Sequence, residues 1–175
     1  GVTFSGGEPL QHADYLIEML DECGARGIHR SVDTSGLAKT ETLLEVAKRT
    51  DHFLYDLKMM DSAKHKKWTG VPNEKILENL QILAETGAKI NIRIPLIKGV
   101  NADDENIRQT AEFVANLAGE KKVVNLLPYH NIATRKYQKL GGSYNPDGME
   151  TPSEAEQERS IAIFAEHGIE AIVGG

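Results

Sequence analysis

Several short segments of this sequence combine backbone freedom with charge in the way a ligand site requires. The first reads Thr3, Phe4, Ser5, Gly6, Gly7, Glu8, Pro9, Leu10. Two adjacent glycines let a ligand come close to the main chain, Glu8 offers a carboxylate, and Pro9 stiffens the exit. Such a turn can receive an ammonium group, and it is equally what a tight βα connection needs. A phosphate cradle is disfavoured, because no Lys-Ser or Lys-Thr pair follows and no third glycine completes a dinucleotide spacing.

Asp33, Thr34, Ser35 and Gly36 form a second segment, and Asp56, Leu57 and Lys58 a third. Acids, a hydroxyl and a lysine in neighbouring loops can coordinate a cation and hold a zwitterion by both its charges. The plain alternative is capping by Asp33 or Thr34, with Asp56 and Lys58 as surface strand ends. In Asn91, Ile92, Arg93, Ile94, Pro95, alternation puts Arg93 on the face of Asn91 and Pro95. Among apolar neighbours that arginine has to meet a carboxylate or a ligand, because an unpaired buried charge is costly. His130, which follows Leu127, Pro128 and Tyr129, is placed to bond an adenine or ribose edge, or is simply a satisfied polar residue. The charged run at residues 61–70 reads as a solvated helix with Trp68 folded inward, and Cys23 as buried packing on a helical stripe.

The elements that position these residues follow from periodicity. Short β-rich runs at residues 2–4, 28–32, 53–55, 90–94, 123–127 and 169–173 alternate with stretches of helical period, the pattern of repeated βα units. Leu16, Ile17, Leu20 and Cys23 share one helical face, as do Ile76, Leu77, Leu80 and Leu83, and Ile107, Ala111, Val114 and Leu117. Gly27, Gly87 and Gly168 stand where helices end, and Thr151, Pro152 and Glu154 read as a capping box. The candidate segments therefore fall at the carboxyl ends of strands, where both open α/β sheets and barrels gather ligands. Periodicity alone does not choose between those two architectures.

Composition narrows the function classes. At 175 residues the chain fits one α/β domain, 1–175, able to bury a full core. With 26 acidic against 20 basic side chains and a net charge of −6, a broad nucleic-acid-binding face is disfavoured. One cysteine excludes an internal disulfide framework and a multi-cysteine metal site built from these residues, and points to a reducing, cytoplasmic setting. No apolar run is long enough to span a membrane, so no membrane partner is expected.

Taken together, Ser5-Gly6-Gly7-Glu8-Pro9, Asp33-Thr34-Ser35-Gly36, Asp56-Leu57-Lys58, Arg93 and Leu127-Pro128-Tyr129-His130 resemble, in order, the motifs of the radical S-adenosylmethionine enzymes that activate glycyl radical enzymes, the pyruvate formate-lyase activating enzymes among them. The resemblance implies a partial TIM-like (βα)6 barrel with the first βα unit missing, so that the radical SAM core is incomplete at its N-terminus. It implies cofactor binding by Gly6, Gly7, Glu8, Pro9, Asp33, Asp56, Leu57, Lys58 and His130, and catalytic roles at the mouth for Lys58 and Arg93. It also implies a monovalent cation beside Asp33, Thr34, Asp56 and the backbone near Leu54.

The same resemblance implies a [4Fe-4S] cluster on a CxxxCxxC loop, with reductive cleavage of S-adenosylmethionine yielding a radical that takes hydrogen from a glycine of a partner enzyme. The expected partners are a glycyl radical enzyme of the pyruvate formate-lyase kind and an electron donor such as flavodoxin or ferredoxin. Here the sequence departs from the pattern, because Cys23 is its one cysteine. The cluster ligands are expected upstream of this chain, and the chain alone is expected to be inactive. Other readings remain open at this point: a radical enzyme acting on a small substrate, and a non-catalytic module that binds S-adenosylmethionine or a nucleotide.

Overall fold

Where apolar residues stand at alternate positions along a strand, that alternation decides which face of the sheet the helices cover. The computed structural model describes residues 1–120, 122–129 and 148–174. Six strands, β1 (Val2–Phe4), β2 (Arg30–Thr34), β3 (His52–Asp56), β4 (Ile90–Leu96), β5 (Val123–Pro128) and β6 (Ala171–Val173), form one sheet in the order of the chain. Every neighbouring pair is parallel. The helices are α1 (Ala13–Ala25), α2 (Thr40–Ala47), α3 (Ser62–Thr69), α4 (Glu74–Glu85), α5 (Asp104–Ala115) and α6 (Glu154–Glu166), with a 3-10 turn at Pro9–His12 before α1.

Strand order settles what periodicity left open. A doubly wound sheet reverses direction part-way across and carries helices on both faces. Here the order never reverses, and right-handed crossovers then place every helix on one face, as in a barrel. The core agrees with this. Val32, Phe53, Tyr55, Ile92, Ile94, Leu96, Val124 and Leu126 pack in one cluster with helical Leu16, Leu20, Leu43, Val46, Ile76, Leu80, Leu83, Ile107 and Phe164. The residues between them along the strands, Asp33, Leu54, Asp56, Asn91, Arg93 and Asn125, occupy the other face. Burial in β4 accordingly alternates through all seven residues.

Two expected strand starts move by two residues for one shared reason. In α1 the amides of Gly27 and Ile28 return to the carbonyls of Gly24 and Cys23, and after α6 those of Gly168 and Ile169 return to Ala165 and Phe164. These are Schellman closures, with Gly27 and Gly168 at φ 67° and 69°. Ile28 and Ile169 are thereby spent on ending helices, so β2 begins at Arg30 and β6 at Ala171. The capping box also sits later than expected: Ser153 and Glu156 form it, while the Thr151 hydroxyl donates to the Tyr129 carbonyl at 2.7 Å. In α3 the residue turned inward is His65, 3% exposed and bonded through Nδ1 to Val71 O, while Trp68 stays half-buried beneath Lys67. Cys23 is half-buried on α1.

Gly36 is required on two counts. Its φ is 74°, and a Cβ there would sit 1.6 Å from the Tyr55 hydroxyl, itself buried and donating to Ile76 O. Gly36→Ala is expected to cost about 3 kcal/mol in urea unfolding, since strain and overpacking add.

Acid sensitivity has a defined source as well. Arg30 holds Asp51 by Nε, Nη2 and its own amide, which lowers the Asp51 carboxyl to about 2. Ser153, by amide and hydroxyl, and then Lys98 lower Glu156 to about 2. A carboxyl depressed on folding stabilises the fold fully above its unfolded value of about 4 and loses that contribution as pH falls toward the folded value. Stability should therefore decline from about pH 4 toward pH 2, and Arg30→Ala should flatten that decline when unfolding is followed across the same range.

Candidate functional site

Parallel pairing aligns side chains across strands, and at the carboxyl ends it aligns charges. Asp33 stands level with Leu54, Asp56 with Arg93, and Arg93 with Asn125, all on the face away from the helices. Arg93 Nη2 reaches Asp33 Oδ1 at 2.8 Å, and Arg93 Nε and Nη2 both donate to Asp56 Oδ1 at 3.0 Å. Ser5 Oγ donates to Asp33 Oδ2 at 2.9 Å, and Lys58 Nζ to Asp56 Oδ2 at 3.4 Å. The result is a connected array, Ser5, Asp33, Arg93, Asp56, Lys58, in which two cations balance two anions. Its charged side chains keep between 16% and 32% of their surface, so the array is sheltered yet open to a ligand. Arg93 thus has the carboxylate partners that a sheltered guanidinium needs.

Glu8 fixes the first loop against the second. Its Oε1 accepts from Leu10 N at 3.2 Å and Thr34 Oγ1 at 2.6 Å, and its Oε2 accepts from Ser35 N at 2.9 Å and Ser35 Oγ at 2.6 Å. Four donors fill the acceptor capacity of one carboxylate. Glu8 therefore positions the Gly6–Gly7 turn, which it flanks, and also caps the 3-10 turn that Pro9 begins. Gly6 and Gly7 have φ of 94° and 58° with nothing within 4 Å of a notional Cβ, so their main chain lies open to an incoming group. The burial of Tyr55, with Glu8 nearby, pushes its phenol pKa upward and keeps it a neutral donor.

Buried asparagines hold the remaining loops from behind. Asn101 donates to Lys58 O and Pro95 O at 2.6 and 2.7 Å and accepts from Ile97 N, tying the Lys58 segment to the end of β4. Asn106 accepts from Met60 N, and Asn73 donates to Met59 O and Met60 O. Asn79 of α4 donates to Gly36 O and Ala38 O, fixing the loop after β2. Sequence reasoning passed over these residues. The available signal was a polar residue on an apolar stripe: Asn79 sits between Ile76 and Leu80, where burial of an amide makes sense only if it is fully bonded.

The expected site residues are not all brought together. Asp33, Asp56, Lys58 and Arg93 converge, and Leu57 lends its amide to Arg93 O while its side chain is buried. Thr34, next to Asp33, points to the opposite face, where its hydroxyl donates to Glu8 and accepts from Gly36 N. It does not join Asp33 and Asp56 around a cation position. Between those two acids stands the Arg93 guanidinium. Among the described residues no group of three or more His, Cys, Asp and Glu side chains is placed to hold a metal ion. His130 lies outside the described residues.

A profile described as the radical SAM superfamily matches residues 1–114, the segment that carries β1 through β4 and the whole charged array. The chain belongs to the radical SAM superfamily. Over 178 aligned residues it is 45% identical to the trans-4-hydroxy-L-proline dehydratase activating enzyme of Clostridioides difficile, covering 100% of this chain and 58% of that protein. It is 40% identical to the choline trimethylamine-lyase activating enzyme of Oleidesulfovibrio alaskensis, covering 95% and 54%. It thus spans little more than half the length of these relatives. A crystal structure of a domain of pyruvate-formate lyase-activating enzyme from Bacteroides vulgatus superposes with a TM-score of 0.86 at 46% identity, over 100% of this chain and 99% of that one.

The superfamily uses S-adenosylmethionine and a [4Fe-4S] cluster, and this radical SAM chain fits the two differently. For S-adenosylmethionine the fit is good: an open glycine main chain adjoins a sheltered set of acids and bases that can meet both charges of an amino acid zwitterion. For the cluster it is not, since Cys23 is the one cysteine and lies on α1. Glu8→Gln should show how far the glycine turn depends on its anchor. It puts an amide NH2 against donors, so stability should fall by about 2 kcal/mol in chemical denaturation, with S-adenosylmethionine affinity of the full-length protein falling too.

Proposed function

We propose that this chain is the S-adenosylmethionine-binding part of an activating enzyme that installs a glycyl radical on a partner enzyme. The observation that carries the reading is the single mouth at which the Gly6–Gly7 main chain, Asp33, Asp56, Lys58 and Arg93 meet at the carboxyl ends of β1 to β4. Bound to a reduced cluster, S-adenosylmethionine supplies a carbon-centred radical able to take hydrogen from glycine. In this reading the chain holds the amino acid end of the cofactor along the glycine turn, and Asp56 and Lys58 orient it. Arg93, fixed by two carboxylates, faces the glycine-bearing segment of the partner. Asp33 and Asp56 keep the guanidinium in place, and proximity rather than proton transfer is what these residues contribute.

The partner is a glycyl radical enzyme, with pyruvate formate-lyase, trans-4-hydroxy-L-proline dehydratase and choline trimethylamine-lyase the first to test, because those are the systems named for the similar proteins. Flavodoxin or ferredoxin is the electron donor class. The reading requires a cysteine triplet beyond these 175 residues, so the full-length protein must contain one. After anaerobic reconstitution and reduction, that protein should form 5′-deoxyadenosine, and the matching partner should acquire a glycyl radical signal in electron paramagnetic resonance. Deoxyadenosine without any partner-dependent radical would instead identify an enzyme acting on a small substrate. No deoxyadenosine under reducing conditions would leave a binding module without catalysis.

A further inference from the structure

Under the proposed function Lys58 orients the cofactor while Arg93 faces the glycine-bearing segment of the partner, so the spacing between these two residues has to be fixed. Their ion pairs do not fix it. Arg93 is held by two acids, but Lys58 Nζ reaches Asp56 Oδ2 only at 3.4 Å, and the Lys58 side chain keeps 32% of its surface. A partly exposed pair of that length holds a flexible lysine weakly. Where the amine can reach is therefore set by the main chain that carries it.

That main chain is held by Asn101, in the loop after β4. Its Nδ2 has two hydrogens and gives them to two different segments, Lys58 O at 2.6 Å and Pro95 O at 2.7 Å. Pro95 lies two residues beyond Arg93 and on the same face of β4. The amide has one possible orientation, because its Oδ1 accepts from Ile97 N at 2.8 Å, and a flipped amide would set NH2 against N–H and oxygen against two carbonyls. Asn101 N also returns to Ile97 O at 3.0 Å. Asn106, in the first turn of α5, backs this arrangement: its Nδ2 donates to Asn101 O and its Oδ1 accepts from Met60 N, both at 2.9 Å. Asn101 is 2% exposed and Asn106 7%, so water does not compete for these bonds. Together they make a rigid spacer between the Lys58 segment and β4.

We propose that Asn101 is a positioning residue of the cofactor site, which sets the reach of Lys58 relative to Arg93 and acts on S-adenosylmethionine through Lys58. This rests on the function proposed above. The test is a double-mutant cycle on S-adenosylmethionine affinity, measured by calorimetry on the full-length protein with its cluster reconstituted. Lys58→Ala should weaken binding about tenfold, the loss of one charge-assisted hydrogen bond, and Asn101→Ala by a similar factor. The two together should do no worse than Lys58→Ala alone, because with the amine gone there is nothing left to position. A side chain that merely supported the fold would weaken binding equally in both backgrounds. Leu83→Ala, a core substitution in the last turn of α4, should lower stability and leave the affinity unchanged. If Asn101→Ala does not fold, Asn106→Ala, which frees the same segment at Met60, carries the cycle. Additive losses, or an affinity unaltered by Asn101→Ala, overturn the proposal, whereas wild-type protein that binds no S-adenosylmethionine overturns the function on which it rests.

Discussion

The Arg93 guanidinium, held between Asp33 and Asp56, is the interaction around which the rest of the molecule is arranged. A cation and two anions sheltered from water on a sheet face are stable only as a set, because removing one member strands the others. Each of the three comes from a different strand, so the set exists only if β2, β3 and β4 lie side by side in the right register. The parallel pairing supplies that register, with Asp56 level with Arg93 and Asp33 one strand away. Ser5 and Lys58 extend the same set into the loops after β1 and β3.

The sheet can present such a face because its two sides are chemically separate. Tyr55, Phe53, Ile92 and Ile94 are buried under the helices, while their neighbours in the chain look the other way. Parallel sheets usually bury both faces and read as continuous apolar runs. This one keeps acids, amides and an arginine on its second face, paired with one another across the strands. The buried asparagines serve that surface from the apolar side. Asn79 and Asn101 bond to carbonyls of the loops after β2 and β3, so those loops are fixed without using any group on the ligand side. Among the described residues no helix is long and apolar enough to cross a membrane.

Much of this was legible in the sequence. All six strand runs overlap their observed strands, because strand period and glycine stops are local properties. The two starts that moved, at Ile28 and Ile169, moved because an apolar residue after a terminal glycine can serve a helix cap as well as a strand. His65 rather than Trp68 turned inward for a similar reason, since Val71 O offers its ring a partner that no periodicity reveals.

The sequence by itself determined the βα rhythm, the glycine turn at Gly6 and Gly7, and the set of charged residues at strand ends, all of which depend on neighbours a few positions apart. It also determined that these residues cannot ligate a multi-cysteine cluster, since a count of one cysteine needs no structure. Only the tertiary structure decided that Glu8 is consumed in four hydrogen bonds, three of them to Thr34 and Ser35, and that Thr34 faces away from Asp33. It alone showed that Arg93 bridges acids 60 and 37 positions before it (93 − 33 and 93 − 56). Those are pairings across strands, set by register and sheet order, and no local pattern encodes which distant residue will stand alongside.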